Sequence, residues 1–300
     1  MVQVGHIRGE TQALDDGEPA IQAVRRIAPL SQSQARLLFE TGKVFVGNSP
    51  CLDWRTSLQA GSRVSVDTDR RRPSRQPGLS EDSVIELSRS LVVVNKPRLL
   101  VSVPPTRTGE PTLLDLLADL LKSRPGAPSP LALHRLDRET SGLMLFGISG
   151  GNVAPLRRQL ERHEVEREYY AVVAGAPGDM TLAETIDVTR ERFNGRETRR
   201  FAVTEVEPVR REGPVSLVRC RPRTGRFHQI RIQLAAAGFP LLGEKEHLPP
   251  GYRSPIPAPM LALQSFRLTF LHPDRGERAS YELPVDPYLD QLLRAGSGRP

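Results

Sequence analysis

Cysteine is scarce in this 300-residue chain, and the two present, Cys51 and Cys220, are far apart and form no C-x-x-C pair. Neither a disulfide framework nor a cysteine zinc site is expected. The six histidines show no metal-ligand spacing, so no metal is expected. Long apolar runs are missing too, the longest falling well short of the roughly eighteen residues that span a bilayer. The first residues, with Glu10, Asp15 and Asp16, do not place a basic stretch before an apolar one, and the chain reads as cytoplasmic, with no membrane partner. Lysine is rare: Lys43, Lys96, Lys122 and Lys245 are the lysines among 42 basic residues. Codon usage in a GC-rich genome suffices to explain that preference for arginine.

The net charge of +7 and the sequence pI of about 9.9 are not explained that way. They fit a polyanionic partner, with nucleic acid first among the candidates. With 38% hydrophobic residues the chain can build a real core, and its length suits a small domain joined to a medium one. A monomer is the default expectation.

The first twenty residues are polar and irregular and read as a flexible N-terminus. From Ile21, "IQAVRRIAPLSQSQARLLFETGKVFVGN" carries apolar residues near helical spacing, a serine-rich helix start, a glycine turn and an alternating strand at Val44 and Val46. "LQAGSRVSVDT" adds a second alternating strand, so residues 21–68 fit a small α+β module. Residues 69–83, "DRRRPSRQPGLSEDS", read as an Arg/Pro-rich linker. Beyond Val84, "SLVVVNKP", "EYYAVVAG", "VSLVRCR" and "LALQSFRLTFLHP" are strands, whereas "TLLDLLADLLK" and "FHQIRIQLAAAG" are helices. This mixture predicts an α+β domain on a mostly antiparallel sheet over 84–290, followed by a flexible tail at 291–300.

Three constellations carry chemistry. In "LHRLDRETSGLML", a charged cluster abuts the buried-strand run Leu143 to Phe146. Asp137, ahead of Thr140, Ser141 and Gly142, is either a turn former or, beside Arg135 and Arg138, a carboxylate suited to act as nucleophile or base. In "RPRTGRFHQIRIQLAAAG", a helix over Phe227 to Ala237 would set Phe227, Ile230 and Leu234 inward, with Arg231 beside them. Such an arginine either pairs with an anion or snorkels at the edge of the stripe. In "REYYAVVAG", Tyr169 and Tyr170 point to opposite sides of a strand, so one faces inward.

Residues 21–68 resemble the small RNA-binding module named after small-subunit ribosomal protein four, in the order "LSQSQARLLFETGKVFVGN" then "LQAGSRVSV". Binding RNA there would require Arg25, Arg26, Arg36 and Lys43 to share a face. "HRLDRETSGLML" looks like the H-R-L-D-x-x-T-S-G-L signature of the RluA-type RNA pseudouridine synthases. "NKP" at 95–97, "REYYAVVAG" at 167–175 and "TGRFHQIRIQLA" at 224–235 follow in that family's order. The resemblance covers about residues 84–290 and implies an RNA-modifying isomerase that uses no metal, nucleotide or redox cofactor. No phosphate-binding glycine loop is present, which agrees. By the same resemblance Asp137 is the catalytic aspartate, Tyr169 the tyrosine under the uracil, and Arg231 the basic residue paired with the aspartate. Arg135 helps displace the target base, Leu143 and Ile230 line the pocket, and Arg226 and Lys96 complete the substrate-binding set. The chain departs from the pattern at Val103, Arg167 and Gln264, and "GEKEHLPPGY" replaces the usual G-D-x-x-Y-G block.

The expected substrate is ribosomal or transfer RNA, with a uridine flipped out of its stack. A noncatalytic RNA-binding or ribosome-assembly protein on the same fold is the alternative, disfavoured by the joint presence of Asp137, Tyr169 and Arg231. A metal-dependent nuclease lacks a carboxylate or histidine cluster in the sequence.

Overall fold

The computed structural model describes residues 7–40, 43–47, 49–51, 54–68, 78–103, 111–188 and 199–298. It divides into two units, residues 1–76 and 77–300. Among the described residues no helix is long and apolar enough to cross a membrane.

The first unit contains β1 (Arg8–Gln12), β2 (Glu18–Pro19), α1 (Ala20–Ile27), α2 (Gln32–Glu40), β3 (Val44–Val46), β4 (Ser49–Pro50), β5 (Ser57–Leu58) and β6 (Arg63–Asp67). The sheet order is β1-β6-β3-β4, and β2 pairs separately with β5. Val24, Leu38, Phe39, Val44, Val64 and Val66 form its core, as the alternating strands and helical spacing imply. The expectation of a flexible residue 1–20 segment is corrected from Arg8 onward, because β1 pairs antiparallel with β6 from Arg8↔Asp67 to Gln12↔Arg63. Strand β1 leaves one side at the surface and buries nothing fully, so its sequence "RGETQ" carries no apolar alternation to read. Of the predicted linker, residues 69–77 lie outside the described residues, and Glu81–Ser83 form a 3₁₀ turn leading into the second unit.

The second unit is built on one large sheet. Its elements are β7 (Val84–Leu87), β8 (Leu91–Lys96), α3 (Leu113–Leu121), β9 (Pro130–Ala132), β10 (Ser141–Ile148), α4 (Ala154–Glu161), β11 (Glu166–Ala174), β12 (Met180–Asp187), β13 (Arg199–Glu212), β14 (Val215–Pro222), α5 (Gln229–Ala236), β15 (Leu263–Leu271), β16 (Arg278–Glu282) and α6 (Pro287–Gly296). The strand order is β12-β13-β14-β11-β15-β10-β8-β7. All ladders are antiparallel except the short parallel pairing of β10 with β15 at Ser141↔Gln264 and Gly142↔Ser265. The mostly antiparallel α+β expectation therefore holds.

Both faces of the central strands are covered, so β10 is buried along its whole length. Met144 and Phe146 face a core shared with Leu113, Leu117 and Leu121 of α3 and Leu234 of α5. Leu143 and Leu145 face the opposite core, with Leu156 of α4. Helix α3 starts at a reciprocal cap, in which Thr112 Oγ1 accepts the Asp115 amide and Asp115 Oδ2 accepts the Thr112 amide at 2.8 Å. Residues 291–296, expected in a flexible tail, instead belong to α6. Leu289, Leu292 and Leu293 bury its inner face, a stripe too short to stand out in the sequence.

Gly142 explains why a glycine follows the charged cluster. Its φ is +108°, and a Cβ there would lie 2.0 Å from the Ser265 carbonyl oxygen. Gly142→Ala is expected to break the β10–β15 joint and to leave little soluble folded protein. A cooperative melt within a few degrees of wild type would contradict this.

Candidate active site

The segment joining β9 to β10 is anchored at His134, Leu136, Arg138 and Glu139. Ser102 Oγ donates to the Leu136 carbonyl at 2.6 Å and accepts the Leu136 amide at 3.1 Å. Lys96 Nζ donates to the Arg138 carbonyl at 3.2 Å, and Arg98 Nη1 to the Glu139 carbonyl at 2.6 Å. Glu139 Oε2 accepts the Leu261 amide at 2.7 Å, and His134 Nε2 the Leu145 amide at 3.0 Å. Ser141 and Arg98 both bond the carboxylate of Asp286, the residue that caps α6. Much of the charged cluster therefore serves to fix the loop, and Asp137 is left facing a cavity.

That cavity has a volume of about 750 Å³, and Asp137, Tyr169, Arg135, Arg226, Ile230 and Arg231 all line it. Six of the eight expected site residues are thus brought together. The other two are corrected. Leu143 is fully buried in the core on the far side of the sheet, because strand alternation turns it away from the cavity-side core. Lys96 is fully buried and its ammonium is taken up by the carbonyls of Pro97, Leu100 and Arg138. Burial pulls its pKa down to about 7, while the nearby Asp137 charge acts in the other direction.

Strand β11 delivers Tyr169 to the cavity side of the sheet, and Tyr170 to the other side, where it stacks on Phe266 with ring centroids 3.6 Å apart. Burial raises the Tyr169 phenol above its ordinary range. On the facing wall, Gln229 organises the turn before α5. Its Oε1 accepts from Thr224 Oγ1 at 2.7 Å and the Arg226 amide at 3.0 Å, and its Nε2 donates to Val203 and Thr204. His228 then takes a left-handed conformation, φ 51°, and the helix begins at Gln229. The expected helical start at Phe227 is corrected accordingly. Phe227 stacks on the His228 ring at 3.7 Å instead of joining Ile230 and Leu234 on the buried helix face.

Arg231 is buried and does have an anionic partner, but the main one is not Asp137. Its Nε and Nη2 grip the two oxygens of Glu244 at 2.7 and 2.8 Å, whereas Nη1 reaches Asp137 Oδ2 at 3.4 Å. Glu244 Oε1 also accepts the amides of Lys245, Glu246 and His247. Burial alone would raise the Glu244 pKa, yet Arg231 and these amides hold it down to about 2. Arg231 is correspondingly raised above its ordinary value. Neither Arg135 nor Arg138 is the charge partner of Asp137: Arg135 lies over the Phe227 ring at 5.9 Å, and Arg138 Nε donates to the Leu99 carbonyl.

His228 and Glu244 went unnoticed in the sequence as site residues. The one available signal for Glu244 was its place in "GEKEH", where a carboxylate occupies the second position of the usual G-D block. His228 Nε2 lies 2.8 Å from Arg231 Nη1, which can only donate, so Nε2 accepts and Nδ1–H points to His247 Nε2 at 2.9 Å. His228, Glu246 and His247 offer ligand atoms within 4.8 Å of one another, the one set among the described residues that could hold a metal ion. Here the two ring nitrogens facing each other make a hydrogen bond, and the Arg231 guanidinium occupies the other ring nitrogen of His228.

His228 and His134 are both pushed down to about 3, mainly by burial, with Arg231 and Arg167 respectively adding to the effect. Between that value and the ordinary 6.5 the unfolded chain binds protons that the folded one refuses. Stability should therefore rise with pH through this window, by about 1.4 kcal/mol per pH unit for each imidazole. His228→Gln should lower the slope measured by chemical denaturation between pH 5 and 6, where most carboxylates no longer titrate, by about 1 kcal/mol per pH unit. An unchanged slope would contradict the assignment of a neutral His228.

With this geometry in view, residues 90–236 match the family model described as RNA pseudouridylate synthase. The chain is 33% identical over 211 residues to the dual-specificity RNA pseudouridine synthase RluA of Haemophilus influenzae, covering 68% of this chain and 93% of the relative. It is 30% identical over 287 residues to the ribosomal large subunit pseudouridine synthase D of Neisseria meningitidis serogroup A, covering 88% and 74% respectively. The solved structure of human RNA Pseudouridylate Synthase Domain Containing 1 superimposes with a TM-score of 0.54 at 25% identity, over 73% of this chain and 95% of that one. An anchored aspartate, a buried tyrosine and a carboxylate-gripped arginine around one cavity, together with these likenesses, make the chain a member of the RNA pseudouridine synthases, which are isomerases.

Proposed function

We propose that this enzyme converts specific uridines of ribosomal RNA to pseudouridine, with Asp137 as the catalytic carboxylate. Support for ribosomal RNA comes from the names of relatives such as the ribosomal large subunit pseudouridine synthase D of Neisseria meningitidis. The observation that carries the residue assignment is the convergence of Asp137, Tyr169 and Arg231 on one cavity. In the reaction the bond between uracil N1 and the sugar C1′ breaks, the base turns, and C5 bonds to C1′. The C5 proton leaves to solvent and N1 gains one. Asp137 acts on the sugar or base as nucleophile or base, Tyr169 packs against the uracil, and Arg231 presents its charge to Asp137 while Glu244 holds it. Arg135 and Arg226 meet the RNA at the cavity wall. Residues 21–68 serve as an accessory RNA-binding module, where Arg36 and Arg55 both lie against Trp54. The enzyme works as a monomer in the cytoplasm, without metal or cofactor.

The test is release of tritium from C5-labelled uridine in ribosomal RNA. Release by the wild-type protein is expected. Tight RNA binding without release would favour the noncatalytic RNA-binding reading.

A further inference from the structure

Among the described residues five arginines line the cavity, and a single carboxylate, Asp137, accompanies them. Arg231 is neutralised by Glu244. Arg167 is not neutralised by anything among the described residues. It makes no ion pair, and its Nε is buried without a hydrogen-bond partner. This is unusual for the sheet around it, where Arg219 pairs with Glu207, Arg223 with Glu205 and Arg267 with Glu282.

The alternation of β11 explains how this comes about. Arg167 and Tyr169 line the cavity, while the neighbouring acid, Glu168, points to the opposite face. There Glu168 meets Arg219, Arg221 and Arg267 at 3.8, 3.3 and 3.1 Å, so its charge is fully engaged away from Arg167. Above the guanidinium runs the "TGR" turn, where a Cβ on Gly225 would stand 3.1 Å from Arg167 Nη2. The turn thus packs closely over Arg167 with no side chain of its own at that point.

A half-buried guanidinium with idle donors is costly unless an anion arrives to pair with it. Uracil is neutral and offers a guanidinium only its two carbonyl acceptors, whereas every nucleotide of RNA brings a phosphate whose oxygens match the guanidinium fork. Resting on the RNA-modifying reading above, we propose that Arg167 is a phosphate-binding residue that holds the backbone phosphate beside the flipped uridine. It thereby sets how deeply the sugar enters next to Asp137.

The experiment compares wild type, Arg167→Met and Arg167→Lys in binding a fluorescent single-stranded oligouridylate across a range of salt concentrations, and in tritium release from ribosomal RNA. Arg167→Met should weaken binding about tenfold at low salt. It should also lower the log–log salt slope by about 0.7, the contribution of one phosphate contact on a single strand. Arg167→Lys keeps the charge and should keep the slope. Arg167→Met should melt no lower than wild type, since it removes an uncompensated charge. An unchanged slope in Arg167→Met overturns the proposal even if turnover falls, because a contact to the base or to Tyr169 would leave the slope intact. A slope lost in Arg167→Met while the wild type releases no tritium would uphold the phosphate site and sink the isomerase reading instead.

Discussion

Asp137→Asn should abolish tritium release, by at least about a thousandfold, while RNA affinity changes by no more than about threefold. The asparagine fits the same space, and its carbonyl oxygen can still accept from Arg231 Nη1. The loop stays anchored through Ser102, Lys96 and Arg98, none of which bonds the Asp137 side chain. What is lost is a carboxylate able to attack the substrate or take a proton. Binding survives because it is spread over the arginines of the wall, and Arg231 keeps its grip on Glu244. Gel-shift and tritium assays on the same preparation would decide the matter, and turnover within tenfold of wild type would remove Asp137 from the chemistry.

The second large effect concerns stability. Glu244→Gln keeps the size of the side chain but leaves Arg231 without its fully buried counter-charge. Breaking a buried pair from one side costs about 3–5 kcal/mol. For a unit of this size that lowers the melting temperature by roughly 6–20 °C. Catalysis should fall too, since the guanidinium would be free to swing onto Asp137. The pH dependence follows from the depressed Glu244 pKa. Its contribution is fully present above about 4.5, the ordinary carboxylate value, and is lost as pH falls toward about 2. Scanning calorimetry of both proteins from pH 7 to pH 3 should show the difference shrinking at the acid end. A constant difference would mean that the substitution acts through packing and not through charge.

Much of this architecture was legible because local signals agreed with it. The valine-rich run before "NKP", the leucine repeat of α3 and the paired tyrosines of β11 each have a period that matches their final burial. The "HRLDRETSGLML" block pointed to the loop that brings Asp137 to the cavity, but not to the division of labour inside it. That division depends on partners such as Ser102, Leu261 and Asp286, which lie far away in sequence. Glu244 was missed for the same reason, since a carboxylate thirteen residues past an arginine is unremarkable until a turn folds it back. Leu143 and Lys96 were misplaced because membership of a motif says nothing of which face a strand residue takes. Strand β1 was missed because an exposed polar strand is recognisable chiefly by its neighbour.

The place of β15 has a consequence for how the enzyme is made. Asp137 leads into β10, Tyr169 lies on β11 and Arg231 on α5, and β15 is the strand that joins β10 to β11. That strand spans Leu263–Leu271, downstream of all three. On the ribosome, all three side chains emerge before the piece that sets them in register. A chain terminated by a premature stop codon ahead of Leu263 would carry every motif and have no assembled site. Activity therefore has to wait until β15 has been synthesised, and Asp286, translated later still, ties off the loop that carries Asp137.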